Sequence, residues 1–155
     1  MLSPHFRLVE FTKSQSALRL GLDNQPDSTA VQSLRTLCVE VLESVREHFK
    51  TPVVVNSGYR AKTVNRVIGG KPSSQHCAGE AADIEVLGID NLTVYQWIAA
   101  NCVFDQLILE FYTDGEPMSG WVHVSYVSQD ANRHECLRIN KSSIVRDTLP
   151  ETRAA

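Results

Sequence analysis

The sequence predicts an α+β domain: a small antiparallel sheet with helices packed on one face. Three observations point there. Apolar residues recur at three- and four-residue steps from Val31 to Phe49, the stripe of a helix buried on one side. Short runs at 81–86, 106–111 and 121–126 alternate polar with apolar residues, the period of a half-buried strand. Helical and strand patterns are interleaved along 155 residues, a length that suits one domain with its own core.

The elements follow in order. Residues 1–27 read as an irregular, polar arm, with Gly21, Asn24, Pro26 and Asp27 clustered ahead of the first strong pattern. Phe6, Leu8, Val9 and Phe11 are its candidate anchors. Asp27 or Ser28 caps the long helix, whose inner stripe runs from Val31 through Leu34, Leu37, Val41 and Val45 to Phe49. Arg35, Glu40, Glu43 and Glu47 fall on its wet side. Thr51-Pro52 ends the helix, and Val53–Val55 is β-branched, as a short buried strand requires. Ser57-Gly58-Tyr59-Arg60 turns out of that strand. A short helix over 62–68 stops at Gly69-Gly70, and 71–75 is a loop. Then come a strand at 81–86, a helix at 91–102, a strand at 106–111, a loop at 113–120 and a strand at 121–126. A last strand is expected at 136–139. Residues 143–155 read as a loose tail, so the domain is expected to span 1–142.

Composition narrows the function. A formal charge of -3 offers no footprint for nucleic acid. No apolar run approaches the roughly 20 residues of a membrane helix. Met1–Arg7 lacks a basic patch followed by an apolar core, so no signal peptide is expected and the chain is expected to start in the cytoplasm. Cys38, Cys77, Cys102 and Cys136 are scattered without CxxC spacing, so neither a zinc knuckle nor a thioredoxin-type site is indicated. Cys38 and Cys102 fall within helical patterns, as small core residues do.

The chemistry is concentrated in Ser74-Gln75-His76-Cys77-Ala78-Gly79-Glu80-Ala81-Ala82-Asp83 and in Trp121-Val122-His123. Side chains alternate across a strand, so Asp83, Glu110 and His123 line one floor if their strands are neighbours. His76 would enter from the preceding loop, with Gly79 permitting the tight turn back. Two imidazoles and a carboxylate suit Zn²⁺ with one position left to water, and an open position belongs to a catalytic rather than structural site. Cys77 beside His76 is not a protease nucleophile, because adjacent residues on an extended chain point apart. His5, His48 and His134 have no ligand-like setting and are expected at the surface.

These stretches, with Phe104-Asp105-Gln106-Leu107-Ile108-x-Glu110-Phe111 and Ser57–Arg60, resemble the M15 zinc peptidases, the D-Ala-D-Ala carboxypeptidase or hedgehog-like metallopeptidase family. The likeness covers roughly 6–140 and is greatest to the small bacterial and phage branch. It implies zinc on His76, Asp83 and His123. It implies a carboxylate that works on the zinc-bound water. Many members carry that acid in an acidic-x-x-His pattern ending at the second histidine, and here the position is Gly120. Another branch supplies a glutamate from the preceding strand, which Glu110 matches; Glu116 and Asp114 are its rivals. The resemblance further implies that Arg60 clamps a substrate carboxylate or carbonyl, with Ser74, Gln106 and Trp121 as candidate pocket residues. The implied substrate is a peptidoglycan stem peptide, cut by a D,D-carboxypeptidase or an endopeptidase. A phage enzyme acting on the wall after release, or carried in the virion, would fit the missing signal peptide. A zinc-binding module without activity is the alternative.

Overall fold

The computed structural model describes residues 1–148. The N-terminal residues are not the irregular arm their polarity suggests, because two short helices form there: α1 (Leu8–Thr12) and α2 (Gln15–Leu20). Glu10 accepts the Arg7 N–H at 2.6 Å and Ser14 Oγ accepts the Ala17 N–H at 3.1 Å, so each first turn has a cap. Helices this short show no periodic stripe in sequence and persist only by docking. Phe6 and Phe11 dock them, meeting edge-on at 6.1 Å and buried together with Leu2. Each such burial is worth about 1.5–3 kcal/mol. Val9 faces solvent instead.

The long helix starts at Asp27, whose carboxylate accepts the Ala30 N–H at 2.8 Å. It runs as α3 (Ser28–Leu37), a wider π turn (Cys38–Leu42) and α4 (Glu43–Phe49). In the π turn the Glu43 N–H reaches back to the Cys38 carbonyl. The extra residue keeps Val41, Leu42 and Val45 all on the buried side. Glu43 does not stay in water: it accepts from Ser3 Oγ at 2.6 Å and from the His5 N–H at 2.9 Å, and so ties the N-terminus to α4.

Downstream are β1 (Val53–Ser57), α5 (Lys62–Val67), β2 (Ala81–Val86), α6 (Asn91–Asn101), β3 (Gln106–Glu110), β4 (Trp121–Ser125), β5 (Glu135–Ile139) and β6 (Ile144–Asp147). All six strands form one sheet in the order β1-β2-β4-β3-β5-β6. The expected all-antiparallel sheet is corrected in one place, since β3 and β5 run parallel. β4 ends at the edge where β3 begins, so the connection at 126–134 steps past the start of β3 and enters beside it. The Asp105 backbone closes that step, with its N–H on the Ser125 carbonyl at 2.8 Å and its carbonyl accepting the Glu135 N–H at 3.0 Å. The expected loose tail also proves partly ordered. Residues 144–147 pair with β5, and Arg138 Nε donates to Asp147 Oδ2 at 2.6 Å. The rest of the predicted tail, 149–155, lies outside the described residues.

The alternation predicted for the strands sorts the two faces. Ala82, Ile84, Leu107, Leu109, Val122 and Val124 are fully or almost fully buried under the helices, in one core with Leu34, Val41 and Ile98. Asp83, Ile108, Glu110, Trp121 and His123 take the other face. No helix among the described residues is long and apolar enough to cross a membrane.

Candidate metal centre and groove

The register sets the centre. Asp83 on β2 pairs with His123 on β4, and His123 pairs with Ile108 on β3. One step along the strands, Glu110 pairs with Trp121, which places Glu110 diagonally across from His123 on the same face. His76 arrives from a single 3-10 turn (Gln75–Ala78) that ends at Gly79, φ 73°.

Donor atoms of His76, Asp83 and His123 all lie within 4.8 Å of one another. His76 Nδ1 lies 2.7 Å from the Gly58 carbonyl, which only accepts, so Nδ1 carries the proton. A neutral His76 then turns the lone pair of Nε2 toward Asp83 Oδ1, 3.4 Å away. The same Oδ1 is 2.9 Å from His123 Nδ1. The lone pair of His76 Nε2 facing a carboxylate oxygen at this range calls for a cation between them, and this donor set fits a divalent metal. Burial alone would raise the Asp83 carboxyl, but the hydrogen bond from His123 and the neighbouring His76 imidazole outweigh it and hold it well below the usual carboxylate range.

Glu110 behaves oppositely. It is half-buried, and that burial together with the nearby Asp83 charge raises its pKa, while His123, His76 and Arg60 pull it down less strongly. Asp114 and Glu116 are exposed in the loop before β4, and Asp114 lines a small cavity with Leu109 and Arg138, away from the histidines. Gly120 cannot be replaced by an acid in this loop. Its φ is +64°, and a Cβ there would meet the Glu110 carbonyl oxygen at 2.0 Å.

Beside the centre is a cavity of about 360 Å³ whose lining includes Arg60, Lys71, Ser74, Gln106, His123 and Arg133. Of the four pocket residues singled out in the sequence, Arg60, Ser74 and Gln106 therefore share this wall. Gln106 Nε2 is directed away from it onto Glu135 at 2.6 Å. Trp121 stands outside, tilted against Phe111 at 5.3 Å, and its buried Nε1–H has no protein acceptor. Cys77 borders a neighbouring groove, and burial raises its thiol, the reverse of an activated nucleophile.

Two supporting residues carried no assignment in the sequence reading. Asn24, buried in the N-terminal region, donates to the carbonyls of Thr12 and Tyr59 and accepts the Ala61 N–H at 2.8 Å, bracing the turn that bears Arg60. Asp105, 2% exposed, accepts from Gln75 Nε2 at 2.9 Å and from Arg133 Nη2 at 2.6 Å. It links the histidine turn to the start of β5. The signal for Asp105 was an acid inside the otherwise apolar start of a strand; Asn24 gave none.

An α+β domain that gathers two histidines and an aspartate on the open face of its sheet, with a half-buried glutamate diagonal to them, has the donor set of a metallopeptidase. The chain belongs to the Peptidase M15 family, whose profile matches residues 4–125. That span includes the N-terminal helices, the three donors and Glu110. A comparison with curated protein sequences finds no match.

Proposed function

We propose that the protein is a zinc peptidase that hydrolyses amide bonds in peptidoglycan stem peptides. The observation that carries this reading is the convergence of His76, Asp83 and His123 beside Glu110. Ligand atoms of a tetrahedral zinc site with bonds of about 2.0–2.1 Å lie about 3.3 Å apart, and the 2.9 and 3.4 Å separations here bracket that value. Zinc held by these three side chains would supply a Lewis acid for the scissile carbonyl and a water acidified to near neutral pH. Glu110 takes the proton from the attacking water and returns it to the leaving amine. Arg60 holds a carboxylate of the substrate, and Ser74 borders the same space. Arg60 makes no ion pair among the described residues, so its charge is available to a ligand. That favours a free terminal carboxylate, and hence a carboxypeptidase, over an endopeptidase.

The substrate class rests on the resemblance to the small bacterial and phage branch, which also suggests action on the cell wall after release. Incubation of the zinc-loaded protein with purified peptidoglycan, followed by mass spectrometry of the new termini, tests activity and bond choice together. Release of single D-alanine supports a carboxypeptidase; internal cuts support an endopeptidase. The absence of an acid at Gly120 favours a second reading, a metal-binding module without turnover. Unchanged peptidoglycan would support it.

A further inference from the structure

Asn65, on α5, is 3% exposed, and its polar groups bind two separate pieces of the groove, Arg60 and the Gly70-Lys71 loop. Its Oδ1 accepts from Arg60 Nη1 at 3.3 Å, and its Nδ2 donates to the Lys71 carbonyl at 2.8 Å. Its own carbonyl accepts the Gly70 N–H at 2.8 Å. The amide lies so close to Gly70 that a Cβ there would stand 2.0 Å from Oδ1. The Lys71 carbonyl also accepts the Ser74 N–H at 3.0 Å, closing a turn ahead of the His76 segment.

The remaining contact of the Arg60 guanidinium is Ser57 Oγ at 3.4 Å. Both of its partners are neutral and both bonds are long. They orient the group without cancelling its charge. Lys71 lines the same cavity beside His123. An aspartate at 65 would neutralise Arg60 and could not donate to Lys71. An apolar residue would do neither task and would strand the buried Lys71 carbonyl.

We propose that Asn65 is a positioning residue: its amide aims the Arg60 guanidinium into the cavity and sets the Lys71 loop beside it, so that two cations address one carboxylate of the ligand. This rests on the peptidase reading for the identity of the ligand, though not for the placement of Arg60.

The test uses the full zinc-loaded chain and the variants N65L, N65A, R60A and N65L/R60A. One arm measures hydrolysis of an N-acylated D-alanyl-D-alanine peptide and of its C-terminal amide. N65L is expected to raise KM for the free acid about tenfold while leaving kcat, zinc content and the KM of the amide within about twofold. The double variant is expected to be no worse than R60A. Equal losses on acid and amide, or additive losses in the double variant, overturn the proposal. The other arm follows the Arg60 Nε–H signal by ¹⁵N NMR, assigned by its disappearance in R60K. A shift or broadening in N65L upholds the positioning role, and an unchanged signal overturns it. Should N65L fail to fold, N65A, which also removes both bonds of the amide without adding a charge, is read in the same way. If the wild type cleaves neither peptide, the carboxypeptidase reading fails and the NMR arm alone decides the role of Asn65.

Discussion

The α-carbon of Gly120 is pressed against the carbonyl oxygen of Glu110, with room for no side chain: a Cβ would come within 2.0 Å. The position at which many M15 relatives carry an acid is therefore closed by the backbone of the strand that carries Glu110. G120E is expected to gain no activity and to lose about 2–4 kcal/mol, from the left-handed φ and the clash together. Thermal melting and peptidoglycan hydrolysis check this; an active, stable G120E would disprove it.

E110Q keeps the size and polarity of Glu110 and removes its proton transfer. Hydrolysis is expected to fall about 10²–10⁴-fold with bound zinc unchanged. Metal analysis beside a kinetic assay decides, and full activity would pass the role to Glu116.

In the metal-free protein, Glu110 is expected to titrate above the ordinary glutamate value of about 4.3, because burial and the Asp83 charge both disfavour its ionised form. D83N removes that charge, so the Glu110 midpoint should move down. Carbon-detected NMR titration of both proteins reads the shift. D83N should also weaken metal binding by at least about a hundredfold, measured by competition with a chelator.

Burial alone would raise the Asp105 carboxyl; hydrogen bonds from Arg133 and Gln75 outweigh it and hold it below its usual value. A depressed folded pKa contributes stability that is present above the unfolded value of about 3.9 and lost as pH falls through the folded one. Wild-type protein should therefore lose stability on acidification over that window. D105N should be less stable by about 2 kcal/mol at neutral pH, with a flatter acid limb. Urea unfolding between neutral pH and pH 3 provides the comparison, and parallel curves would refute the assignment.

Phe11 is fully buried, and its carbonyl accepts the Tyr59 N–H at 2.7 Å, beside the turn that carries Arg60. F11A is expected to cost about 3–5 kcal/mol. A loss under 1 kcal/mol in denaturant unfolding would mean that the N-terminal helices are dispensable.

Much of the fold was legible because its cause is local. Alternation in β2, β3 and β4 follows from side chains pointing to opposite faces, and the Asp27 cap and the Val31–Phe49 stripe follow from helix geometry. Other features were hidden. The short helices α1 and α2 exist only through Phe6 and Phe11 docking, and β6 exists only because β5 offers it an open edge. The parallel β3–β5 pair depends on where β4 ends, which no residue pattern encodes.

The sequence by itself determined which atoms are available for chemistry: two imidazoles, the Asp83 carboxylate, a glutamate on the same strand face as His123, and an arginine after a tight turn. Only the tertiary structure decided how they meet. Register put Asp83 opposite His123, the Gly58 carbonyl set which nitrogen of His76 is free, and the close approach of the Glu110 carbonyl left no room for a side chain at position 120. Residue identity fixes what a group can donate or accept, whereas distance and direction between groups far apart in the chain arise only when a shared core packs them together.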